Sequence, residues 1–455
     1  MILNYYNSPV FRQIIAVTVS GWLSVAAGFA FGFSAVLLPQ LKKDKDFPYT
    51  DDLASWIASI TPLSMVIGCI SAGSVIDGLG RKAGLFILAA LAIISWIFIA
   101  LSTNVTLLLI GRFISGLFSG STRPVSLVYI SEITDPKYRN ISLIVPSLSL
   151  NVGVIFSHVI GEYFNWKICS YIYAAVNVFC LILLLFLKES PLWLISQGKT
   201  DEGVQAFKWF RGQGSESERE LELVLQRQTE NGRKYFLKDI FSRTFIKPLL
   251  TAACLAAASQ FNGINSLSFY AKEILGNTVK GAVDPFILMI IYDVMRLFAF
   301  VILFIGNKYI QRKIFLISVS FSCCIALFGL FALLTFTNVS EYVWLSLTIM
   351  IIYHLSGGCI VTLAWSFVPE LFSGNLRGLG SGISGSVSFM FLFIYVKISP
   401  GFIANYGENT MYASCGVLTV VITVILCFLL PETNGRTLQD IEDTYKKNTI
   451  KKSHL

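Results

Sequence analysis

Long apolar runs recur along the chain and are separated by short polar segments. Each run holds about 20 mostly apolar residues, the length that a helix needs to cross the hydrocarbon core of a bilayer. Lipid cannot satisfy an exposed backbone, so each run is predicted to form a helix. The twelve runs span residues 14–38, 54–77, 84–102, 105–130, 143–164, 168–187, 248–274, 284–306, 313–336, 343–369, 380–403 and 410–430.

One long polar stretch interrupts this pattern and separates six predicted spans from six. The predicted parts are an N-terminal six-helix half (1–187), linker helices (188–247), a C-terminal six-helix half (248–430) and a tail (431–455). In the linker, DEGVQAFKWFRG and SERELELVLQRQTE have apolar residues at helical spacing, which predicts two amphipathic helices. We expect these helices to pack under the bundle rather than to lie on the inner leaflet.

Composition agrees with a membrane protein. Of the 455 residues, 55% are hydrophobic and 14% are charged, whereas an ordinary soluble domain carries roughly a quarter of charged residues. This balance excludes a disordered chain, a coiled coil and a nucleic-acid-binding module. The nine cysteines lie in apolar stretches without a C-x-x-C pair, so they are expected to be buried small hydrophobes. Neither a metal site nor a cofactor is predicted.

The positive residues near the span ends predict the orientation, because cytoplasmic loops carry an excess of Lys and Arg. With both termini in the cytoplasm, the linker, the tail and the short inner loops hold most of them. The inner loops contain Arg81, Lys82, Lys137, Arg139, Lys308, Arg312, Lys313 and Arg377. The predicted fold is thus an all-α membrane protein with twelve transmembrane helices in two six-helix halves and a cytoplasmic helical segment between them.

An internal repeat in the charged residues supports this organisation. Glu132 and Arg139 follow the fourth span, and Glu370 and Arg377 follow the tenth with the same spacing. Repeated six-helix halves are typical of transporters, with the substrate site at the midplane between the halves. Acids contribute little to topology, so the matched acids favour ion pairs that hold the inner side closed and break when it opens.

Seven motifs occur in an order and at spacings typical of one known family. They are Gly73–Lys82, Gly111–Arg112, Tyr129–Arg139, Glu189–Leu194, Gln260–Tyr270, Trp365–Arg377 and Pro431–Thr437. With them the chain resembles the sugar porter family of the major facilitator superfamily, and within it the insect facilitated trehalose and glucose transporters. The resemblance covers essentially the whole chain. It implies a sugar carrier of the plasma membrane that works as a monomer.

The resemblance also implies roles for particular residues. Gln260 and Asn265 would bind sugar hydroxyls, since an amide offers both a donor and an acceptor to a neutral polyol. Trp365 and Phe389 could cover the apolar faces of a sugar ring. A set of charged residues would form gating salt bridges on the cytoplasmic side. These are Asp77, Arg81, Arg112, Glu132, Arg139, Glu189, Arg312, Glu370, Arg377 and Glu432.

Departures from the family pattern lie at the expected substrate site. Ser147 and Ser259 stand where the family usually has glutamine, and Ser388 stands where it has asparagine. Serine is shorter and offers fewer hydrogen bonds, so a monosaccharide would be bound with fewer contacts or through water. A disaccharide could use the added space. An altered or lost activity, as in a sugar sensor, is equally open.

Two charges inside the eighth span add a third hypothesis. Asp293 and Arg296 either contact the ligand or neutralise each other on one helix face. The family's symporters often carry an acid in the first span, whereas residues 21–40 contain none. Facilitated diffusion is therefore favoured, with a proton- or anion-linked carrier that uses Asp293 and Arg296 as the alternative. His158 and His354 are interpreted as packing residues rather than proton carriers.

Two sequons lie in predicted outer loops, at Asn104 and Asn338, and make glycosylation possible there. The sequence shows no nucleophile–base pair and no phosphate-binding loop, so no enzyme activity is predicted.

Overall fold

A computed structural model describes residues 8–45, 47–230, 242–279, 282–337, 341–372 and 377–432. Within these ranges the regular elements are helices and no β-strand occurs. In chain order they are α1 (Pro9–Lys43), α2 (Asp51–Leu79), α3 (Arg81–Ala100), α4 (Val105–Ile133), α5 (Pro136–Ser142), α6 (Val145–Tyr163), α7 (Trp166–Leu185), α8 (Pro191–Ser196), α9 (Thr200–Arg211), α10 (Ser215–Glu230), α11 (Arg243–Phe261), α12 (Ile264–Thr278), α13 (Pro285–Tyr309), α14 (Arg312–Phe336), α15 (Val343–Leu371) and α16 (Arg377–Leu429).

The helices accommodate all twelve predicted spans. Among the described residues, nine helices are long and apolar enough to cross a membrane: α1–α4, α7 and α13–α16. The fifth span is α6, the seventh is made of α11 and α12, and α16 contains the eleventh and twelfth. Large apolar side chains such as Phe336, Trp344 and Phe428 lie largely exposed on these helices, as expected for surfaces that contact lipid.

Two predictions of span boundaries were wrong. The seventh span was predicted as one helix over 248–274, but it breaks between Phe261 and Ile264. The eleventh and twelfth spans were predicted to be separated by a loop, but helix continues on both sides of a single residue, Gly407 (φ 82°, ψ 161°). Positive φ is open to glycine without strain, so one residue redirects the chain where a loop was expected.

Helix starts follow local capping chemistry. Asp135, Ser190 and Asp284 each precede a proline, and each side chain accepts a backbone N–H of the first turn of α5, α8 or α13. A short polar residue at the N-cap satisfies a backbone donor, and proline at the first helical position lacks a donor to satisfy. These pairs fix where α5, α8 and α13 begin.

The chain forms two compact units. Unit 1 comprises Met1–Ala30, Ile67–Val154 and Asn165–Lys234, and unit 2 comprises Phe31–Val66, Ile155–Phe164 and Tyr235–Leu455. The division predicted from the sequence, with boundaries at 187 and 248, differs from these units and stays a prediction.

The linker helices pack inside unit 1. The two predicted amphipathic helices are confirmed as α9 and α10. Ile195 of α8, Phe207 of α9 and Leu221 of α10 form a small hydrophobic cluster. Gln13 of α1 donates to the carbonyl oxygen of Phe210 over 2.8 Å, which ties the linker to the first span.

None of the nine cysteines, all of which lie within the described ranges, forms a disulfide, and their burial agrees with the prediction of small hydrophobes. Seven are buried, and Cys254 and Cys427 are half-buried.

Candidate functional site

The break in the seventh span is built by three residues. Gly263 has φ +86°, and a Cβ there would lie 2.9 Å from the hydroxyl oxygen of Tyr353. The Asn262 side chain accepts the N–H of Ile264 over 3.0 Å, and the Asn262 carbonyl oxygen accepts the Tyr353 hydroxyl over 2.7 Å. These bonds satisfy backbone groups that the break frees, as a membrane interior requires. The break is therefore stabilised by specific hydrogen bonds, and it places polar atoms in the interior of the seventh span.

Polar side chains from three helices meet at this break. Asn265 of α12 donates from Nδ2 to Oε1 of Gln260 in α11 over 2.9 Å. Gln260 in turn donates from Nε2 to Oγ of Ser388 in α16 over 2.8 Å. All three side chains are buried. The structure thus brings together the two predicted sugar-binding amides and adds Ser388 as their partner.

Arg296 extends this chain of hydrogen bonds. Its Nη2 donates to Oδ1 of Asn265 over 3.0 Å, and its Nη1 donates to Oγ of Ser268. The order Arg296, Asn265, Gln260, Ser388 therefore runs in one donor direction. We call these four side chains the amide chain. Its members carry donors and acceptors that a polyol could exchange for its own hydroxyls.

Asp293 takes a different partner from the one considered in the sequence. Asp293 and Arg296 each make their hydrogen bonds to another helix, and the alternatives of ligand contact and an i, i+3 pair both stay predictions. Asp293 Oδ2 lies 2.5 Å from Nδ1 of His158 in α6, and the side chain of Arg296 contacts α12. His158 was interpreted as a packing residue, so its carboxylate partner was missed.

The remaining predicted substrate residues lie in different places. The rings of Trp365 and Phe389 are 5.9 Å apart, both in unit 2. The hydroxyl of Ser259 donates to the carbonyl oxygen of Ala256 in its own helix, so it does not replace the missing glutamine amide. Ser147 lies near the start of α6, in unit 1, where its carbonyl oxygen accepts the side chain of Asn151.

A dense ion cluster lies in unit 1, and we call it cluster 1. Arg81, the first residue of α3, donates from Nε and Nη2 to the carboxylate of Glu132 at the end of α4, over 3.0–3.2 Å. Asp77 lies 3.1 Å from Arg81 on the other side, and Ser190 donates to Glu132. Glu189 accepts the backbone N–H groups of Arg81 and Lys82, each over 2.9 Å.

A matching cluster lies in unit 2, and we call it cluster 2. Arg312, the first residue of α14, contacts Glu370 at the end of α15 and donates to Ser366 over 2.6 Å. Glu432 accepts the backbone N–H of Lys313 over 3.0 Å. The role of both clusters in gating stays a prediction.

Two gating residues predicted with cluster 1 lie elsewhere. Arg112 and Glu132 are on the same helix, 20 positions apart, and a rise of about 1.5 Å per residue separates them by about 30 Å. Fully buried, Arg112 donates to the carbonyl oxygen of Ala30 over 3.3 Å. Arg112 is therefore remote from cluster 1, and its role as a gating residue stays a prediction. Arg139 approaches Glu220 of α10 at 3.9 Å instead of Glu132.

Glu220 also faces Arg211, the last residue of α9, at 3.3 Å. Burial lowers the pKa of Arg211, while Glu220 and Asp135 raise it. Arg139 and Arg211 therefore share one acid that ties α5 to the linker helices.

Three further predictions concern one gating residue, Arg377, and the two sequon residues, Asn104 and Asn338. Arg377 begins α16, but its side chain lies outside the described residues, as does the sequon residue Asn338. Asn104 caps α4, where its side chain accepts the N–H of Leu107 over 2.8 Å. Glycosylation at both sequons stays a prediction.

Sequence comparison decides the family. The model of the family described as "Sugar (and other) transporter" matches residues 14–445, nearly the entire chain. The chain belongs to this sugar transporter family. It is accordingly a multi-pass membrane protein and a carrier rather than an enzyme.

Curated relatives in the family include facilitated trehalose transporters Tret1 from insects. The protein from Culex quinquefasciatus is 29% identical over 443 residues, which cover 95% of this chain and 85% of the relative. The one from Apis mellifera ligustica is 27% identical and covers 94% and 87%. In two others, from Aedes aegypti and Drosophila yakuba, this chain spans only 56% and 52% of the relative.

Solved structures of another sugar transporter share the fold. The inward-open xylose transporter XylE from E. coli superposes with a TM-score of 0.79 at 18% identity, covering 95% of this chain and 99% of that one. XylE bound to 6-bromo-6-deoxy-D-glucose gives a TM-score of 0.76 at 19% identity, covering 94% and 99%. This similarity establishes the twelve-helix major facilitator fold predicted for this member of the sugar transporter family.

Proposed function

We propose that this chain is a facilitative carrier of a neutral sugar, a hexose or a trehalose-like disaccharide, that works by alternating access. The observation that carries the proposal is the amide chain at the broken seventh span. Buried amides and a hydroxyl from three helices converge where the backbone is interrupted. Interrupted helices at mid-membrane are where carriers of this architecture bind substrate.

A neutral polyol fits this chemistry better than an ion does. Gln260 and Asn265 each offer a donor and an acceptor, so hydroxyl groups of a sugar can replace the bonds that the amides now make to each other. The names of the insect relatives support trehalose as one candidate substrate. The short side chain of Ser388 leaves more room than the asparagine usual at this position, which favours a larger sugar.

Facilitated diffusion is favoured over coupled transport by the first span. Residues 21–40 of α1 contain no acid that could carry a proton with the sugar. We also infer the plasma membrane as the location, with both termini in the cytoplasm. The positive residues at one set of span ends support this orientation.

The test is counterflow of labelled glucose and labelled trehalose in proteoliposomes, at the same pH on both sides. We expect saturable exchange of at least one sugar, and a loss of roughly tenfold or more in Gln260→Ala, because two buried partners would lose their hydrogen bonds. Gln205→Ala is the matched control, since Gln205 is exposed on the linker helix α9. Folded wild-type protein that binds but exchanges neither sugar would favour a sensor instead.

A further inference from the structure

The buried pair of His158 and Asp293 joins two helices that the sequence assigns to different six-helix halves. His158 belongs to α6, the fifth span, and Asp293 to α13, the eighth. His158 is 1% exposed and Asp293 is 6% exposed. A carboxylate removed from water is costly unless its charge is compensated. Burial of the pair formed by Nδ1 and Oδ2 therefore costs free energy, and ionisable groups buried within a membrane are usually functional.

The charged groups around the pair leave its proton content open to change. Arg296 lies one turn along α13 from Asp293 and balances the carboxylate when His158 is neutral. One turn along α6 from His158, Glu162 is already paired with Lys272 of α12 at 2.6 Å. One added proton would therefore bind to His158 or Asp293 and not to the neighbouring charged groups.

Among the described residues of α1 and α15, His354 is the one further titratable group considered beside the pair. His354 of α15 has its Nδ1 2.9 Å from the carbonyl oxygen of Met350 and stacks on Tyr292. In α1 the segment FGFSAVLLPQ, residues 31–40, contains no titratable side chain. Its Gly32 lies beside the imidazole, since a Cβ there would be 3.2 Å from Nε2 of His158.

The second imidazole nitrogen provides the place for that proton. Among the described residues, Nε2 of His158 has no hydrogen-bond partner although it is buried. In the charge-balanced state Nδ1 donates to Asp293, so Nε2 is a bare acceptor. Adding a proton makes an imidazolium that faces the carboxylate, so both partners of the bond are then ionised and attract each other as opposite charges.

The pair is connected to the amide chain through one residue. Arg296 shares α13 with Asp293 and donates to Oδ1 of Asn265, which donates to Gln260. Asp293, Arg296, Ser268 and His354 also line one small cavity between α12, α13 and α15. A change in the charge of the pair therefore acts on the side chain that orients the sugar-binding amides.

We propose that His158 and Asp293 form a proton-binding site linked to the sugar site, so that acid strengthens the contact between α6 and α13 and slows sugar exchange. The inference rests on the proposed function, because an alternating-access carrier must separate helices of its two halves in each cycle. A proton that stabilises the joined state opposes that separation. By linkage, the separated state binds the proton less tightly.

The experiment measures counterflow with the same pH on both sides, between about pH 8 and about pH 6, where histidine changes charge. In the wild type we expect exchange to fall by roughly fivefold or more toward acid, the lower end of ordinary coupling between sites. His158→Gln keeps a donor for Asp293 but cannot titrate, so its exchange should vary little with pH. His354→Gln is the matched control, a second buried histidine whose Nδ1 contacts a backbone carbonyl oxygen instead of a carboxylate, and it should keep the wild-type slope.

An equal slope in the wild type and in His158→Gln would overturn the inference. Failure of the proposed function looks different, because exchange would then be absent at every pH. A second measurement covers that case without needing transport: the midpoint of thermal unfolding at both pH values. The advantage of the wild type over His158→Gln should grow toward acid, where the proton is bound. An advantage that stays constant with pH would also overturn the inference.

Discussion

Cluster 1 and cluster 2 are built from the same parts but differ in completeness. In each, an arginine that begins one helix contacts a glutamate near the end of the next. In cluster 1 the carboxylate of Glu132 accepts from both Nε and Nη2 of Arg81 and from the hydroxyl of Ser190. In cluster 2, Oε2 of Glu370 and Nε of Arg312 have no hydrogen-bond partner among the described residues.

The ion pair of cluster 1 is also more buried than the ion pair of cluster 2. The side chains of Arg81 and Glu132 are 12% and 13% exposed, whereas those of Arg312 and Glu370 are 15% and 31% exposed. The linker accounts for much of this difference in burial and hydrogen bonding, because the segment before α8 supplies both Glu189 and Ser190 to cluster 1. The comparison teaches that equal sequence spacing need not give equal strength. We infer that cluster 1 is the firmer structure and that cluster 2 is the easier one to open.

The largest expected effect comes from removing the two arginines. Arg81→Ala leaves Glu132 buried without its cation, so stability should fall by about 3–5 kcal/mol. Arg312→Ala should cost about 1–2 kcal/mol, since Glu370 is partly hydrated. Thermal unfolding in detergent measures both, with the exposed Lys208→Ala as control. Equal losses in the two variants would contradict the comparison.

A smaller effect is expected from the glutamates that receive backbone N–H groups. Glu189→Ala exposes two donors at the start of α3 and removes a negative charge there, for a loss of about 1–2 kcal/mol. Glu432→Ala frees one donor at the start of α14, so about half that loss is expected. The same unfolding measurement compares them, and a larger loss in Glu432→Ala would reverse the ranking of the clusters.

The effects of removing the serines should be no larger than those of removing the glutamates. Ser190→Ala removes both a bond to Glu132 and the cap of α8, so we expect a loss of about 1–2 kcal/mol. Ser366→Ala removes one bond from Arg312, which costs about 0.5–1 kcal/mol. Replacement of either serine by threonine keeps the hydroxyl and should restore most of the stability. Failure of that rescue would point to lost packing instead of a lost hydrogen bond.

The sequence predicted the helices well because apolar length alone decides them. All twelve predicted spans are helical, and the ends shift by only a few residues, as in α1, which runs from Pro9 to Lys43. The break at Gly263 was not predicted, since it depends on Tyr353, which lies 91 positions from Asn262. The mean hydropathy of a window of about 20 residues changes little when it includes one Asn-Gly pair, so this measure does not reveal the break.

The candidate site was predictable only in part. The family motif placed Gln260 and Asn265 close in sequence, and they are close in space. The partner of Asp293 is 135 positions away in α6, and no periodicity within one helix could identify it. The distance of Arg112 from Glu132 could have been derived from the sequence, because 20 positions along one helix correspond to about 30 Å.

The placement of the cysteines has a consequence for spectroscopy. Seven of the nine thiols are buried and the other two are half-buried in the spans. Maleimide dyes and nitroxide labels react with thiols that water can reach, so the wild-type chain should take up very little label. A single cysteine introduced at an exposed site, such as Gln205, would then carry the only label. Distance measurements between two such labels could follow the motion of the carrier without first removing the native cysteines.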